Sequence, residues 1–110
     1  MIIYKITNKI NGKRYIGQTK FTIENRFKKH VYDAFGRDNR QQAIHAALRK
    51  YSVENFEIAI ISHCNSIEEM NRREIYYIKL FNTLAPNGYN LSLGGNNSPR
   101  TLSQDGRVFP

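Results

Sequence analysis

The sequence has only one cysteine, Cys64, which excludes an internal disulfide and a cysteine-rich zinc site. It has no apolar run near the roughly 20 residues that a helix needs to cross a bilayer. It also lacks an N-terminal charged region followed by an apolar core and a small-residue cleavage site, the pattern of a secretion signal. These absences lead us to expect a cytoplasmic protein with no membrane partner.

Acidic side chains are scarce in the first half of the chain. Residues 1–20 carry five basic side chains and no acidic one, whereas residues 54–74 hold five glutamates against two arginines. The net charge is +8, and a basic first half favours binding to a polyanion such as nucleic acid, because Lys and Arg displace condensed counterions from phosphates. The alternative is surface charge that only keeps the protein in solution. Our candidate nucleic-acid contacts are Lys13, Arg14 and Lys29.

The residue periodicity predicts an α+β domain with a small antiparallel sheet and about three helices. Strands are predicted over residues 1–8, over "RYIGQT" after the turn dipeptide Asn11-Gly12, and over residues 55–62. Thr22 is an N-cap signal, and Ser66 with Glu69 forms a capping box. The predicted helices run from Thr22 to Phe35 with Gly36 as the stop, over Gln41–Tyr51, and from Ser66 to about Phe81.

The C-terminal part of the sequence changes in composition. The stretch "PNGYN" predicts a turn, and the following "LSLGG" is either a short strand or an irregular segment. From Gly94 onward the residues are typical of a loop or linker. We therefore expect one domain over residues 1–93, with a single modest core, and a flexible tail or the start of a linker over residues 94–110.

Glu74 is the most unusual residue of the third predicted helix. On a helical wheel it falls within the apolar stripe formed by Met70, Tyr77, Ile78 and other apolar residues. Burying a carboxylate is costly unless it is paired, protonated or bound to a cation. Two interpretations stay open from the sequence: an ion pair with an arginine at the edge of the core, or a metal ligand or catalytic acid in a cleft.

The first predicted helix carries two further candidates. Arg26 and His30 are four residues apart, so they are neighbours on one flank of the helix, beside the apolar stripe that includes Phe27. An arginine in this place can bind a phosphate through its planar fork, and a histidine can donate to a phosphate or relay a proton. Both could equally be solvated surface groups.

Two tyrosines, Tyr4 and Tyr15, lie in the predicted hairpin. Any even-length loop puts them on the same face of the sheet, because side chains alternate along a strand. A two-residue turn at Asn11-Gly12 would offset them by four positions, and a four-residue loop over residues 8–11 would place them directly opposite. The sequence does not choose between these registers.

Five separated features occur in one order along the chain: Ile3-Tyr4, Tyr15-Ile16-Gly17, Arg26 with His30, Glu74, and Gly88-Tyr89-Asn90. Together they closely resemble the GIY-YIG nuclease family over about residues 1–95, and "GYNLSLGG" is most similar to its homing and phage-type branch. One departure is that the first motif reads Ile2-Ile3-Tyr4, without the glycine of the family name.

The resemblance implies a three-stranded antiparallel sheet flanked by helices, and metal-dependent hydrolysis of phosphodiester bonds in double-stranded DNA. Structured RNA stays open as an alternative substrate. It implies one Mg²⁺ or Mn²⁺ ion held chiefly by Glu74. It further implies that Tyr4 is the general base or orients the attacking water, and that Tyr15 holds the phosphate or a water on the metal. Arg26 would neutralise charge on the phosphate, and His30 would assist the tyrosine or the phosphate. Asn90 would be either a structural residue or a site residue that supports the catalytic groups, near the glutamate.

Several other points stay open from the sequence. A nucleic-acid-binding module of the same fold, without catalysis, is the main alternative function. Members of the homing type commonly carry a DNA-recognition segment after a flexible linker, so a longer chain could supply one. The oligomeric state cannot be predicted, and neither His45 nor His63 matches a family residue; we expect His45 to lie on the flank of its helix.

Overall fold

The computed structural model describes residues 1–36 and 42–94. Three strands form one antiparallel sheet in the order β2-β1-β3, so β1 is central and β2 lies at an edge. The elements are β1 Ile2–Asn8, β2 Arg14–Thr19, α1 Ile23–Phe35, α2 Ala43–Tyr51, a short 3₁₀ turn Val53–Asn55, β3 Phe56–His63 and α3 Ile67–Phe81. The predicted α+β class, with a three-stranded antiparallel sheet and three helices, is confirmed.

The predicted capping signals mark the starts of two helices. The Thr22 hydroxyl accepts from the Asn25 amide at 3.1 Å at the start of α1. The Ser66 hydroxyl accepts from the Glu69 amide at 3.1 Å at the start of α3. Such bonds satisfy backbone donors that have no partner within the helix, so short side-chain oxygens here fix where each helix begins.

The sheet is sandwiched between two helical layers. One face packs against α1 and α2 through a core that includes Tyr4, Ile6 and Leu48. The other face packs against α3 through a core that includes Ile3 and Met70. Successive β1 side chains therefore enter different cores, as the alternation of a strand buried on both faces requires.

The β1–β2 hairpin has neither of the two registers considered from the sequence. Tyr4 pairs with Gly17, so Tyr4 and Tyr15 are offset by two positions. The loop comprises residues 9–12, and Gly12 occupies its left-handed position at φ 78°. The loop has an even length, so the prediction that both tyrosines share a face is confirmed.

Side-chain bonds explain why the loop is wider than a two-residue turn. The Asn8 and Asn11 side chains accept from backbone amides within the loop, at 2.8 and 2.9 Å. Their amide groups also both donate to the Tyr89 hydroxyl, at 3.0 and 3.2 Å. The hairpin is thus fastened to a residue more than seventy positions away, which local turn preferences do not include.

The remaining expectations are met in part. Cys64 is buried, and "PNGYN" forms a turn as predicted. Residues 91–94 are irregular, whereas Gln41, Gly95 and the rest of the predicted tail lie outside the described residues. No helix in the described ranges is long and apolar enough to cross a membrane.

Candidate active site

Tyr4, Arg26 and His30 meet on the face of the sheet that α1 covers. The Tyr4 hydroxyl lies 2.7 Å from His30 Nε2, and Arg26 Nε donates to the same hydroxyl at 3.1 Å. Tyr4 has no exposed surface, and His30 is 2% exposed. The i, i+4 spacing on α1 therefore brings an arginine and a buried histidine to one phenol, and the alternative of solvated surface groups is wrong for His30.

Tyr15 joins this cluster across the hairpin. Its ring centre lies 6.3 Å from that of Tyr4 and 5.5 Å from that of His30. Gly17 allows this arrangement, because a Cβ on Gly17 would lie 2.4 Å from the Tyr4 hydroxyl and 2.9 Å from the Tyr15 ring. The glycine of the second motif thus gives the Tyr4 ring the space to lie across β2.

His45 belongs to the same network, a role that the sequence did not predict for it. It is buried on α2, and its Nε2 lies 3.0 Å from His30 Nδ1. Tyr4, His30 and His45 therefore form a continuous chain of hydrogen bonds from the sheet to α2. The sequence signal that could have found it is its place next to Ile44 and three residues before Leu48, at the border of the apolar stripe.

Glu74 lies with Tyr15 in a cleft of about 310 Å³ at the edge of β2. It is buried on α3, and Gln18 Nε2 donates to its Oε1 at 2.8 Å. The same Gln18 nitrogen donates to Asn71 at 3.1 Å. Sequence analysis did not single out Gln18. The described lining residues are Tyr15, Gln18, Gln42, Glu74, Asn90, Leu91, Ser92 and Gly94.

Asn90 fastens one wall of this cleft to the edge strand. Its side-chain oxygen accepts from the Ile16 amide at 2.9 Å and from the Thr83 hydroxyl at 2.7 Å, and its nitrogen donates to the Ile16 carbonyl at 2.8 Å. Both ends of the amide are therefore used by protein groups. The geometry suits the structural role expected for Asn90, near Glu74.

The three predicted nucleic-acid contacts lie in different places. Lys13 is exposed at the hairpin loop. Arg14 lies over the Phe81 ring at 5.4 Å, on the α3 face of the sheet and away from the Tyr4 face. Lys29 is exposed on α1, pairs with Asp33 at 3.1 Å, and shares a surface groove with Arg26.

Burial dominates the protonation of the cluster. It raises the pKa of Tyr4 well above its usual range, with a further rise from Tyr15 that Arg26 partly opposes. It also raises the pKa of Tyr15, and the Glu74 carboxylate adds to that rise. Burial, followed by the neighbouring Arg26 and His45, lowers the pKa of His30 to about 3. At neutral pH both tyrosines are therefore phenols, and His30 is a neutral imidazole that can accept a proton.

The low pKa of His30 predicts a pH dependence of stability. Below its ordinary pKa of about 6.5 the unfolded chain binds a proton that the folded protein does not bind until about pH 3. We expect the free energy of unfolding to decrease as the pH is lowered through this window, by up to about 1.4 kcal/mol per pH unit. Above about pH 7 the free energy of unfolding should not depend on the protonation of His30. Urea denaturation at pH 5 and pH 7 measures the slope.

The control for this experiment is the exposed His63. His30→Gln should reduce the slope between pH 5 and pH 7 to the part that comes from His45, whose pKa burial also lowers, whereas His63→Gln should leave it as in the wild type. A slope in His30→Gln equal to that of the wild type would contradict the assignment of a neutral, buried His30.

Comparison with known proteins identifies the fold and the family. The family model described as the GIY-YIG catalytic domain matches residues 1–90. The chain belongs to the GIY-YIG family of nuclease catalytic domains. Two solved structures of the catalytic domain of the homing endonuclease I-TevI, one of them a point mutant, superpose with TM-scores of 0.70 and 0.72 at 28% identity. They cover 82% of this chain, which in turn covers 96% and 91% of theirs.

Curated relatives of this GIY-YIG domain are longer proteins. A protein described as a proposed endonuclease, segD, of Enterobacteria phage T4 is 33% identical over 98 residues, which are 89% of this chain and 40% of that protein. The MSV199 domain-containing protein 146R of Invertebrate iridescent virus 6 is 34% identical over 84 residues, 74% of this chain and 34% of that protein. The chain thus spans about two fifths or less of these relatives.

Membership of the GIY-YIG family implies a divalent cation, and the cleft at Glu74 fits one. Besides the buried carboxylate, it contains the side-chain oxygen of Gln18, which is buried without a hydrogen-bond partner among the described residues. Carboxylate and amide oxygens are the ligands of hard cations. The described residues contain no group of three or more His, Cys, Asp or Glu side chains that could hold an ion, so most ligands would be waters, as Mg²⁺ prefers.

Proposed function

We propose that this GIY-YIG domain hydrolyses phosphodiester bonds of double-stranded DNA with one divalent cation, Mg²⁺ or Mn²⁺, at Glu74. The observation that carries the proposal is the position of Tyr15. Its ring lies beside those of His30 and Tyr4, and Tyr15 also lines the Glu74 cleft, so one phosphate at Tyr15 could reach both groups. Phosphodiester cleavage requires this combination of positioned proton acceptor, charge neutralisation and leaving-group stabilisation.

Glu74 and Gln18 are the residues that would hold the cation. A bound divalent cation neutralises charge on the phosphate and on the departing oxygen. Gln18 contributes in two ways. Its nitrogen donates a hydrogen bond that orients the Glu74 carboxylate, and its buried oxygen, which has no hydrogen-bond partner among the described residues, would be a ligand of the cation. The orientation of Glu74 is thus set before substrate binds, which reduces the reorganisation needed on binding.

Tyr4 receives the proton of the attacking water. As the water oxygen forms its bond to phosphorus, the water proton passes to the Tyr4 oxygen and the Tyr4 proton passes to His30 Nε2, 2.7 Å away. His30 is unprotonated at neutral pH, and the negative charge of a bound phosphate would stabilise the imidazolium that forms when it accepts the Tyr4 proton. His45 supports the opposite ring nitrogen. The bond from phosphorus to the leaving oxygen then breaks, and that oxygen takes a proton from solvent.

Arg26 couples substrate binding to this step. It is partly exposed and donates to the Tyr4 hydroxyl in the free protein. We expect its guanidinium to turn toward the phosphate, where its other N–H groups stabilise the developing charge. This movement gives water access to Tyr4, whose side chain is fully buried without substrate. Tyr15 holds the phosphate, and Asn90 keeps the cleft wall in place.

A second function is a binding module without turnover. The observation that favours it is the complete burial of Tyr4, because a phenol with a raised pKa and no exposed surface cannot act on water as it stands. The basic first half would then bind phosphates alone. The relatives of twice this length or more also leave room for a separate DNA-recognition segment in a longer chain.

Incubation with supercoiled plasmid tests the proposal against this alternative. We expect nicked product with Mg²⁺ or Mn²⁺ and none with EDTA. DNA binding that weakens steeply with salt, without product in either metal, would instead support the binding module. The ratio of nicked to linear product reports whether one active site cuts both strands.

A further inference from the structure

Phe21 is an exposed aromatic residue close to the candidate active site. It lies between β2 and α1 and exposes 73% of its surface, more than any other large apolar residue in the described ranges. Its backbone amide donates to the Thr19 hydroxyl at 3.1 Å, and the helix cap Thr22 follows it directly. The backbone is thus fixed on both sides of a ring that remains in solvent.

The ring lines a groove of about 550 Å³ that is rich in positive charge. Three cationic side chains share the groove with it, and one of them, Lys29, pairs with Asp33 at the side. No acidic residue lines the groove among the described residues. Its described lining residues are Thr19, Lys20, Phe21, Asn25, Arg26 and Lys29.

This composition matches single-stranded nucleic acid better than an apolar partner. An apolar partner would leave the three cations without compensation, whereas a nucleotide strand offers phosphates to the cations and base faces to the ring. Stacking on an aromatic side chain requires that a base leave the stack of its duplex, at a cost of a few kcal/mol in general. Surface aromatics beside cations are the usual means of offsetting that cost.

Arg26 connects the groove to the candidate active site. Its Nε donates to the Tyr4 hydroxyl, and its side chain also lines the groove with Phe21. A strand whose phosphate is bound by Arg26 therefore continues into this groove. We propose that the groove binds the nucleotide next to the scissile phosphate and that Phe21 stacks on its unstacked base, an inference that rests on the proposed function.

Fluorescence of 2-aminopurine in a single-stranded 12-mer tests the stacking directly, because stacking on an aromatic ring quenches it. Binding is measured at low salt with EDTA, so cleavage does not interfere. We expect Phe21→Ala to lose the quenching and about tenfold in affinity, and Phe21→Trp to keep both. Tyr76→Ala is the matched control, since Tyr76 is 58% exposed but lies on α3, on the other face of the sheet.

Three outcomes would overturn the inference. Wild-type affinity and quenching in Phe21→Ala would remove the stacking role, and full recovery in Phe21→Leu would show an apolar contact in its place. An equal loss in Tyr76→Ala would show a general surface effect. Plasmid nicking separates the two proposals. If the wild type nicks the plasmid and Phe21→Ala has no effect on binding, only the proposed role of the groove is overturned. Binding that depends on Phe21 without any nicking overturns the proposed function and the assignment of the base beside a scissile phosphate.

Discussion

Replacing Tyr4 by phenylalanine should lower the rate of DNA cleavage by about 10²- to 10⁴-fold, the usual contribution of a positioned acid–base group. The hydroxyl is the only atom that changes, and it is the atom that both His30 Nε2 and Arg26 Nε contact. Its removal interrupts the proton path and also leaves the buried His30 and the partly exposed Arg26 short of a partner, and an unsatisfied buried group costs about 1–3 kcal/mol of stability in general. Single-turnover cleavage at saturating protein measures the rate, and urea denaturation measures the stability.

Tyr89→Phe is the matched control for this variant. Tyr89 is also buried, and its hydroxyl also makes two hydrogen bonds, accepting from Asn8 and Asn11, but these asparagines belong to the β1–β2 hairpin. The two variants should lose comparable stability, and only Tyr4→Phe should lose activity. A cleavage rate for Tyr4→Phe within about threefold of Tyr89→Phe would exclude Tyr4 as the proton acceptor.

The second large effect is expected for Arg26→Ala, with a loss of about 10²- to 10³-fold in cleavage rate. Removal of a single preorganised donor to a developing negative charge has this cost in other enzymes. Arg26→Lys should recover only a small part, because an ammonium lacks both the Nε–H that contacts Tyr4 and the planar fork that fits a phosphate. The rate is again measured under single-turnover conditions, with DNA affinity measured separately at the same salt concentration.

Arg49→Ala controls for the loss of one positive charge. Arg49 lies on α2, and it too makes a side-chain hydrogen bond, to the Ala34 carbonyl at 2.8 Å. We expect it to weaken DNA binding slightly and to leave the rate at saturation unchanged. If Arg26→Ala and Arg49→Ala behaved alike at saturation, Arg26 would act only through the net charge of the domain.

Local signals in the sequence predicted most of the fold. The alternation of apolar and polar residues predicted the strands, and capping side chains predicted the starts of α1 and α3. Both signals depend only on neighbours a few residues away. The position of Glu74 within an apolar stripe predicted its burial for the same reason. The hairpin register escaped prediction, since it depends on Tyr89, which accepts hydrogen bonds from both loop asparagines.

In the candidate site, too, local features could be predicted from the sequence and contacts between separate elements could not. The i, i+4 pair on α1 and the shared face of the two tyrosines follow from the periods of a helix and a strand. Gln18 and His45 were missed because each gains its partner only when separate elements pack, α3 against β2 for Gln18 and α1 against α2 for His45. A histidine beside an apolar stripe has the same sequence pattern at a solvated helix flank and in a core.

The most direct test of a nuclease centred on Glu74 is plasmid nicking with Mg²⁺ by the wild type, Glu74→Ala and Glu68→Ala. Both glutamates lie on α3, but Glu74 lines the cleft and Glu68 is exposed in the first turn. We predict that wild type and Glu68→Ala nick the plasmid at similar rates, that EDTA stops both, and that Glu74→Ala gives no nicked product while it still binds DNA. Nicking by Glu74→Ala at the wild-type rate would contradict the account.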